Sequence, residues 1–104
     1  MVTVQYLTTF DFPELYPYRT LRQPEEHFRM GVVVAEGEKV VRRLLESSLT
    51  VISVLLTPEW YERYRRMLEE RVEHIRVYCA PKSMLETIVG FHLHQGIMAL
   101  AKMP

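Results

Sequence analysis

Cysteine is nearly absent: Cys79 stands alone, so no internal disulfide can form and nothing points to an oxidising compartment. Glycine is sparse, and its four positions, 31, 37, 90 and 96, are scattered, which excludes a glycine-rich phosphate loop. Neither sign of charge is in excess, since thirteen Lys and Arg offset thirteen Asp and Glu for a formal net charge of +0. That balance argues against an indiscriminate nucleic-acid binder, whose affinity comes mainly from phosphate neutralisation, but leaves room for a local basic face. No apolar run approaches the length needed to cross a bilayer. The opening MVTVQYLTTFDFPEL has no basic segment followed by an apolar core, so the expected location is the cytoplasm, with no membrane partner. Internal repeats and low-complexity segments are lacking too.

What is present suits one soluble domain. The 104 residues are 48% hydrophobic and 25% charged, enough for a core without staples. The stretch that organises the chain is Gly31 to Leu45, GVVVAEGEKVVRRLL. Val32, Val33 and Val34 form a short β-branched run, as in a strand buried on both faces. Glu36-Gly37 breaks that pattern. From Glu38 the period becomes helical, with Val40, Val41, Leu44 and Leu45 on one face and Lys39, Arg42, Arg43 and Glu46 on the other. Glu38 and Arg42, then Arg42 and Glu46, stand at i and i+4 and can support the exposed face. A strand, a tight turn and an amphipathic helix open a β-α-β unit.

The first thirty residues differ. Three prolines (Pro13, Pro17, Pro24) and the aromatics Tyr6, Phe10, Phe12, Tyr16, Tyr18 and Phe28 give no sustained period. Residues 1–28 read as an N-terminal arm docked on a domain of residues 29–104, loose at Met1 to Thr3, with a short helix near Glu25 to Arg29 after Pro24. Ser47-Ser48 turns the chain into a second strand, Val51 to Leu56. Thr57 as N-cap and Pro58 at the first helical position then start a helix. Along it Trp60, Tyr64, Met67, Leu68 and Arg71 recur at helical spacing, while Arg63, Arg65, Arg66, Glu69 and Glu70 face out. Ile75 to Ala80 reads as a third strand. Ser83 to Glu86 matches a capping box for a short helix ended by Gly90, and a loop from Phe91 to Gly96 leads to a last strand, Ile97 to Ala101. Strands alternating with helices imply an α/β layered sheet with mostly parallel neighbours.

Few residues offer chemistry. Cys79 sits inside an apolar strand, as a small buried hydrophobe rather than a nucleophile. His92 and His94 would share one face of an extended segment and can hold a metal there, but no third ligand sits at a recognised spacing. The plainer reading is a loop whose polar groups bond backbone, with Gly96 permitting a sharp turn. His27 and His74 read as surface residues. Glu36 and Gly37 either satisfy the turn and the free N–H groups of the first helical turn, or contact a ligand, for a helix N-terminus at a strand's carboxyl end is where α/β sheets bind anions. Lys39, Arg42 and Arg43 add charge beside it or form a solvated face. Trp60 and Tyr64 can stack on bases, although their spacing favours the core. Tyr16, Tyr18, Arg19 and Arg22 mix aromatics with guanidinium groups, as contacts to single-stranded RNA often do.

Three stretches together, LYPYRTLRQPEEHFRMGVVVAEGEKVVRRLLESS, SVLLTPEW and VYCAPKSMLETIVGFHLHQGIMALA, resemble the N-terminal substrate-binding domain of SpoU/TrmH-type RNA 2′-O-ribose methyltransferases. The likeness runs from about Leu15 onward, and its most specific pieces are Glu36-Gly37 between strand and helix and His94-Gln95-Gly96 before the last strand. The resemblance implies a small three-layer α/β/α fold like that of ribosomal and kink-turn-binding proteins. It also implies structured rRNA or tRNA as partner, together with a separate, C-terminal methyltransferase domain that binds S-adenosylmethionine and commonly forms a homodimer. None of the catalytic domain's motifs is present, so no cofactor and no methyl transfer are expected of this chain, which reads as a fragment. By analogy the RNA-facing candidates are Arg19, Arg22, Arg29, the turn Glu36, Gly37 and Lys39 with Arg42 and Arg43 beyond it, and His94 and Gln95. The competing reading is a protein-interaction or self-association module built on the aromatic arm.

Overall fold

A computed structural model describes residues 1–9, 11, 13–90 and 92–104. Phe10 and Phe12 of the arm, and Phe91 at the start of the expected loop, lie outside the described residues.

The valine run forms β2 (Val32–Glu36), and the change of period at Gly37 opens α3 (Glu38–Glu46). Before them come β1 (Val2–Tyr6), a 3-10 turn at Pro13–Leu15, α1 (Tyr16–Arg19) and α2 (Pro24–Met30). After them come β3 (Val51–Leu56), α4 (Pro58–Glu69), β4 (Ile75–Cys79), α5 (Lys82–Val89) and β5 (Ile97–Lys102). Strand order in the sheet is β1-β4-β3-β5-β2. β1, β4 and β3 are parallel neighbours, while β5 is antiparallel to both β3 and β2, so only β5 runs against the others.

Both faces are covered, as the apolar strands require. On one, Val41, Leu44 and Leu45 of α3 and Tyr61, Tyr64 and Leu68 of α4 pack over Val54, Leu56, Val77 and Cys79. On the other, Leu15, Tyr18 and the α5 residues Leu85, Ile88 and Val89 cover Leu55, Tyr78, Met98 and Leu100. This is the expected three-layer α/β/α domain. Among the described residues no helix is long and apolar enough to cross a membrane.

Four local expectations are corrected. The tip is not loose: Val2 and Val4 pack half-buried against the α3/α4 core with Thr3 and Gln5 exposed between them, a period of two that makes β1 an edge strand. Thr3 Oγ1 also meets His74 Nε2 at 2.5 Å. His27 is buried, because α2 folds back on α1 and its ring Nε2 reaches the Pro17 carbonyl at 3.0 Å and Thr20 Oγ1 at 3.2 Å. The capping box does not form: α5 starts at Lys82, and Glu86 instead accepts from the Leu93 N–H at 2.8 Å and meets His92 Nδ1 at 3.1 Å, tying down the following loop. Arg71 lies past the end of α4, where its guanidinium donates to the carbonyls of Leu45, Ser47 and Leu49.

Candidate functional site

Because β1, β2, β3 and β4 point the same way, their carboxyl ends lie along one edge, and β5 starts there. Gly37 turns the chain from β2 into α3 with φ 95 and ψ 152, a conformation that a side chain disfavours. Its N–H donates to the Ile97 carbonyl at 3.0 Å, and its own carbonyl accepts from Val41 at 3.0 Å. A glycine has no side chain with which to cap the helix it begins. Gln95 supplies the cap from the far loop: its Oε1 accepts from the Glu38 N–H at 2.7 Å. The two motifs, 57 residues apart in sequence, form one joint.

The loop that presents Gln95 is held on three sides. Trp60 Nε1 donates to the Gln95 carbonyl at 2.7 Å, Thr57 N–H to the Gly96 carbonyl at 3.1 Å, and Lys82 Nζ to the His94 carbonyl at 3.2 Å. A Cβ on Gly96 would lie 3.2 Å from Thr57 Cγ2, so the close approach favours glycine. Thr57 also caps α4 as expected, accepting from the Trp60 N–H. Glu38 accepts from the Tyr64 hydroxyl at 2.9 Å, so Tyr64 fastens α4 to the first turn of α3. Burial pushes the Tyr64 phenol up, and the hydrogen bond to Glu38 adds to the rise. The phenol therefore stays a proton donor at neutral pH.

Outside this joint the edge carries exposed charges of both signs, Glu59 among them. Lys39, Arg42, Arg43, Lys82 and His94 are exposed, and Glu36 is half-buried. Of the two helical pairs expected on α3, Arg42 takes Glu46 at 3.6 Å, while Glu38 is engaged by Tyr64. Beside the joint, between α3 and α4, a groove of about 210 Å³ is lined by Glu38, Arg42, Arg63, Tyr64 and Met67. Arg63 lies 4.8 Å from the centre of the Trp60 ring. Arg63 and Lys82 were not singled out from the sequence; the three-residue step from Trp60 to Arg63 was the available signal.

The remaining candidates lie elsewhere. Arg29 pairs with Glu26 at 3.3 Å in the last turn of α2, before the amino end of β2, and the run of that strand to Glu36 is about 13 Å. Arg19 sits on α1, on the face opposite α3, 3.9 Å from Asp11, and Arg22 follows in an exposed turn. Arg29 is therefore set apart from the joint along β2, and Arg19 by the sheet itself. Burial pushes the Cys79 thiol up, away from thiolate chemistry. Among the described residues no three His, Cys, Asp or Glu group as a metal site requires.

These features define a class: a small three-layer α/β domain with a strand-to-helix corner capped from a distant loop. The chain belongs to the family described as RNA 2′-O ribose methyltransferase substrate binding, whose model matches residues 34–104. It is 31% identical over 107 residues to an uncharacterized tRNA/rRNA methyltransferase of Mycobacterium bovis, an alignment covering 95% of this chain and 35% of that protein. An uncharacterized tRNA/rRNA methyltransferase of Mycobacterium tuberculosis is 31% identical over 106 residues, with 94% and 35% covered. The chain thus spans about a third of the length of the curated relatives it matches. The crystal structure of an AdoMet-bound rRNA methyltransferase from Sinorhizobium meliloti has the same fold, at TM-score 0.70 and 18% identity, over 97% of this chain and 37% of that one.

Proposed function

We propose that this chain is the RNA-recognition domain of an S-adenosylmethionine-dependent rRNA or tRNA 2′-O-ribose methyltransferase, holding structured RNA for a catalytic domain outside the chain. The observation that carries the reading is the joint itself: the family match spans both Glu36-Gly37 and His94-Gln95-Gly96, and one hydrogen bond binds them at the sheet edge. Capping fixes the Gln95 amide with its oxygen inward, which leaves the Nε2 end as a donor toward whatever lies on the edge. Lys39, Arg42, Arg43 and Lys82 around it supply charge for phosphate oxygens.

On this reading the protein works in the cytoplasm. Methyl transfer from S-adenosylmethionine takes place in the part outside this chain, which also forms any homodimer.

Fluorescence anisotropy with structured rRNA fragments at two salt concentrations tests the reading. A handful of phosphate contacts gives a log–log salt slope of about −3. Absence of binding at low salt, by protein shown to be folded, overturns it. A second reading, self-association through the N-terminal residues, draws on exposed Tyr16, Phe28 and Met30. Light scattering on dilution separates the two.

A further inference from the structure

The sheet face under α1 carries a cavity that the joint does not use. Across this face Thr3, Arg76, Ser53 and Leu100 stand side by side in register. The 3-10 turn and the four-residue α1 cover the row through Leu15 and Tyr18, and beside them lies an open cavity of about 310 Å³. That is the small end of the range for ligand pockets.

A β-bulge shapes it. Val51 pairs with Ala101 and Ser53 with Leu100, so Ile52 is an extra residue in β3. In consequence Val51 and Val54, three positions apart, both join the core under α3 and α4, while Ile52 and Ser53, adjacent in sequence, both serve the opposite face. Ser53 is held there by the buried Tyr18 hydroxyl at 2.6 Å. Ile52 is thereby turned into the cavity wall. Bulges of this kind re-aim a side chain at the cost of a ladder hydrogen bond, and they are concentrated near functional sites.

The lining has a definite chemistry. Ile52, Leu100, Tyr16 and Tyr78 provide apolar and aromatic surface, and Tyr16 is 46% exposed at the mouth. Two charged groups complete the wall, Glu14 and Arg76, and the Arg76 guanidinium is hydrogen-bonded to the Tyr78 hydroxyl. A slot with aromatic walls, one guanidinium and one carboxylate matches a planar base with an acceptor pair on one edge and a donor pair on the next. Guanine is that base. Its O6 and N7 take an arginine, and its N1–H and exocyclic amine suit a carboxylate. Adenine presents N7 beside an amino donor, so it meets the guanidinium with only one acceptor.

We propose that this cavity takes an unpaired guanine base of the RNA, stacked against Tyr16 and read by Arg76 and Glu14. It is a second contact, on the face opposite α3, and it relies on the RNA reading only for the source of the base. Unstacked bases in loops and bulges are what single-stranded RNA recognition exploits.

Amide chemical-shift titrations of the whole chain test it with guanosine, inosine and adenosine 5′-monophosphates, then with two hairpins differing in one bulged guanine or adenine. Guanosine monophosphate is expected to move the amides of Ile52, Arg76 and Leu100. Inosine monophosphate lacks the amine that Glu14 accepts and should bind about ten-fold more weakly. Glu14→Ala, which removes the acceptor, should erase that difference, and Ile52→Trp should fill the cavity and abolish binding, with a thermal melt checking that each variant is folded. The guanine hairpin should bind more tightly than its adenine twin. Equal response to adenosine and guanosine, or no response at these amides, overturns the pocket. Selective mononucleotide binding without discrimination between the hairpins assigns the cavity to a free nucleotide and overturns its part in RNA recognition. If neither hairpin binds at all, the RNA reading fails as well.

Discussion

Gln95 and Gly37 carry the corner between them, each doing what the other cannot. Replacing Gln95 with alanine leaves the Glu38 N–H without its side-chain partner, and the loss of a cap is expected to cost about 1 kcal/mol in urea unfolding. Gly37→Ala should cost more, about 1–3 kcal/mol, because its backbone conformation is strained for any side chain. The added Cβ would also stand 3.4 Å from the Gln95 Oε1 that makes the cap. Trp60, the only tryptophan, donates to the Gln95 carbonyl, so its fluorescence reports on both variants directly. At this scale the sequence was half legible. Glu36-Gly37 stood out as a break between two periods and read as a turn, whereas Gln95 came into view only through the family resemblance. The bond joining them was not legible, because a contact across 57 residues leaves no periodic trace. His27 was misread for the same reason: its partners, Pro17 and Thr20, are met only when two short helices fold against each other.

Among the elements, the amino end of the sheet is secured by one ion pair that no helical or strand period reveals. Arg71 and Glu73 lie 2.9 Å apart, mostly buried, and Glu73 also accepts from the Val51 N–H at 2.8 Å. Burial by itself would raise the Glu73 carboxyl, but Arg71 and the Val51 N–H outweigh it and hold the carboxyl below its ordinary value. A carboxylate lowered on folding contributes stability above its unfolded value of 4.5 and loses it as pH falls through the lower folded value. Urea midpoints measured from pH 4.5 downward should therefore fall, and Glu73→Gln should flatten that part of the profile while lowering stability at neutral pH. The elements from Gly31 onward were readable because their apolar periods are long and their ends carry strong signals: Thr57-Pro58 opened α4, and Gly90 closed α5 in the left-handed conformation. β1 was not, since in VTVQY only two positions face the core and the strand needs β4 beside it to be recognised. The direction of β5 was equally hidden, as a run of apolar residues says nothing of which way its neighbours run.

For the molecule as a whole, the proposed RNA role makes the separation of charges measurable. Lys39→Gln should weaken RNA binding across sequences and reduce the salt slope by about one contact, whereas Arg29→Gln, at the far end of β2, should leave both unchanged. Anisotropy at several salt concentrations distinguishes the two. Removing residues 1–7 takes away β1 and bares the N–H and C=O groups of β4. The shortened chain should unfold at lower urea and self-associate on concentration, an outcome that light scattering reads.

The placement of β5 has a consequence for how the chain matures. β2 is joined to the sheet through β5 alone, and β5 is the last strand of the described residues. During synthesis β2 and the corner behind it must wait, their ladder partner still inside the ribosome, while β1, β3 and β4 already have one another. The corner at the carboxyl edge is thus the final part to set, and a nascent chain stalled before Ile97 would be half a sheet with an idle valine strand.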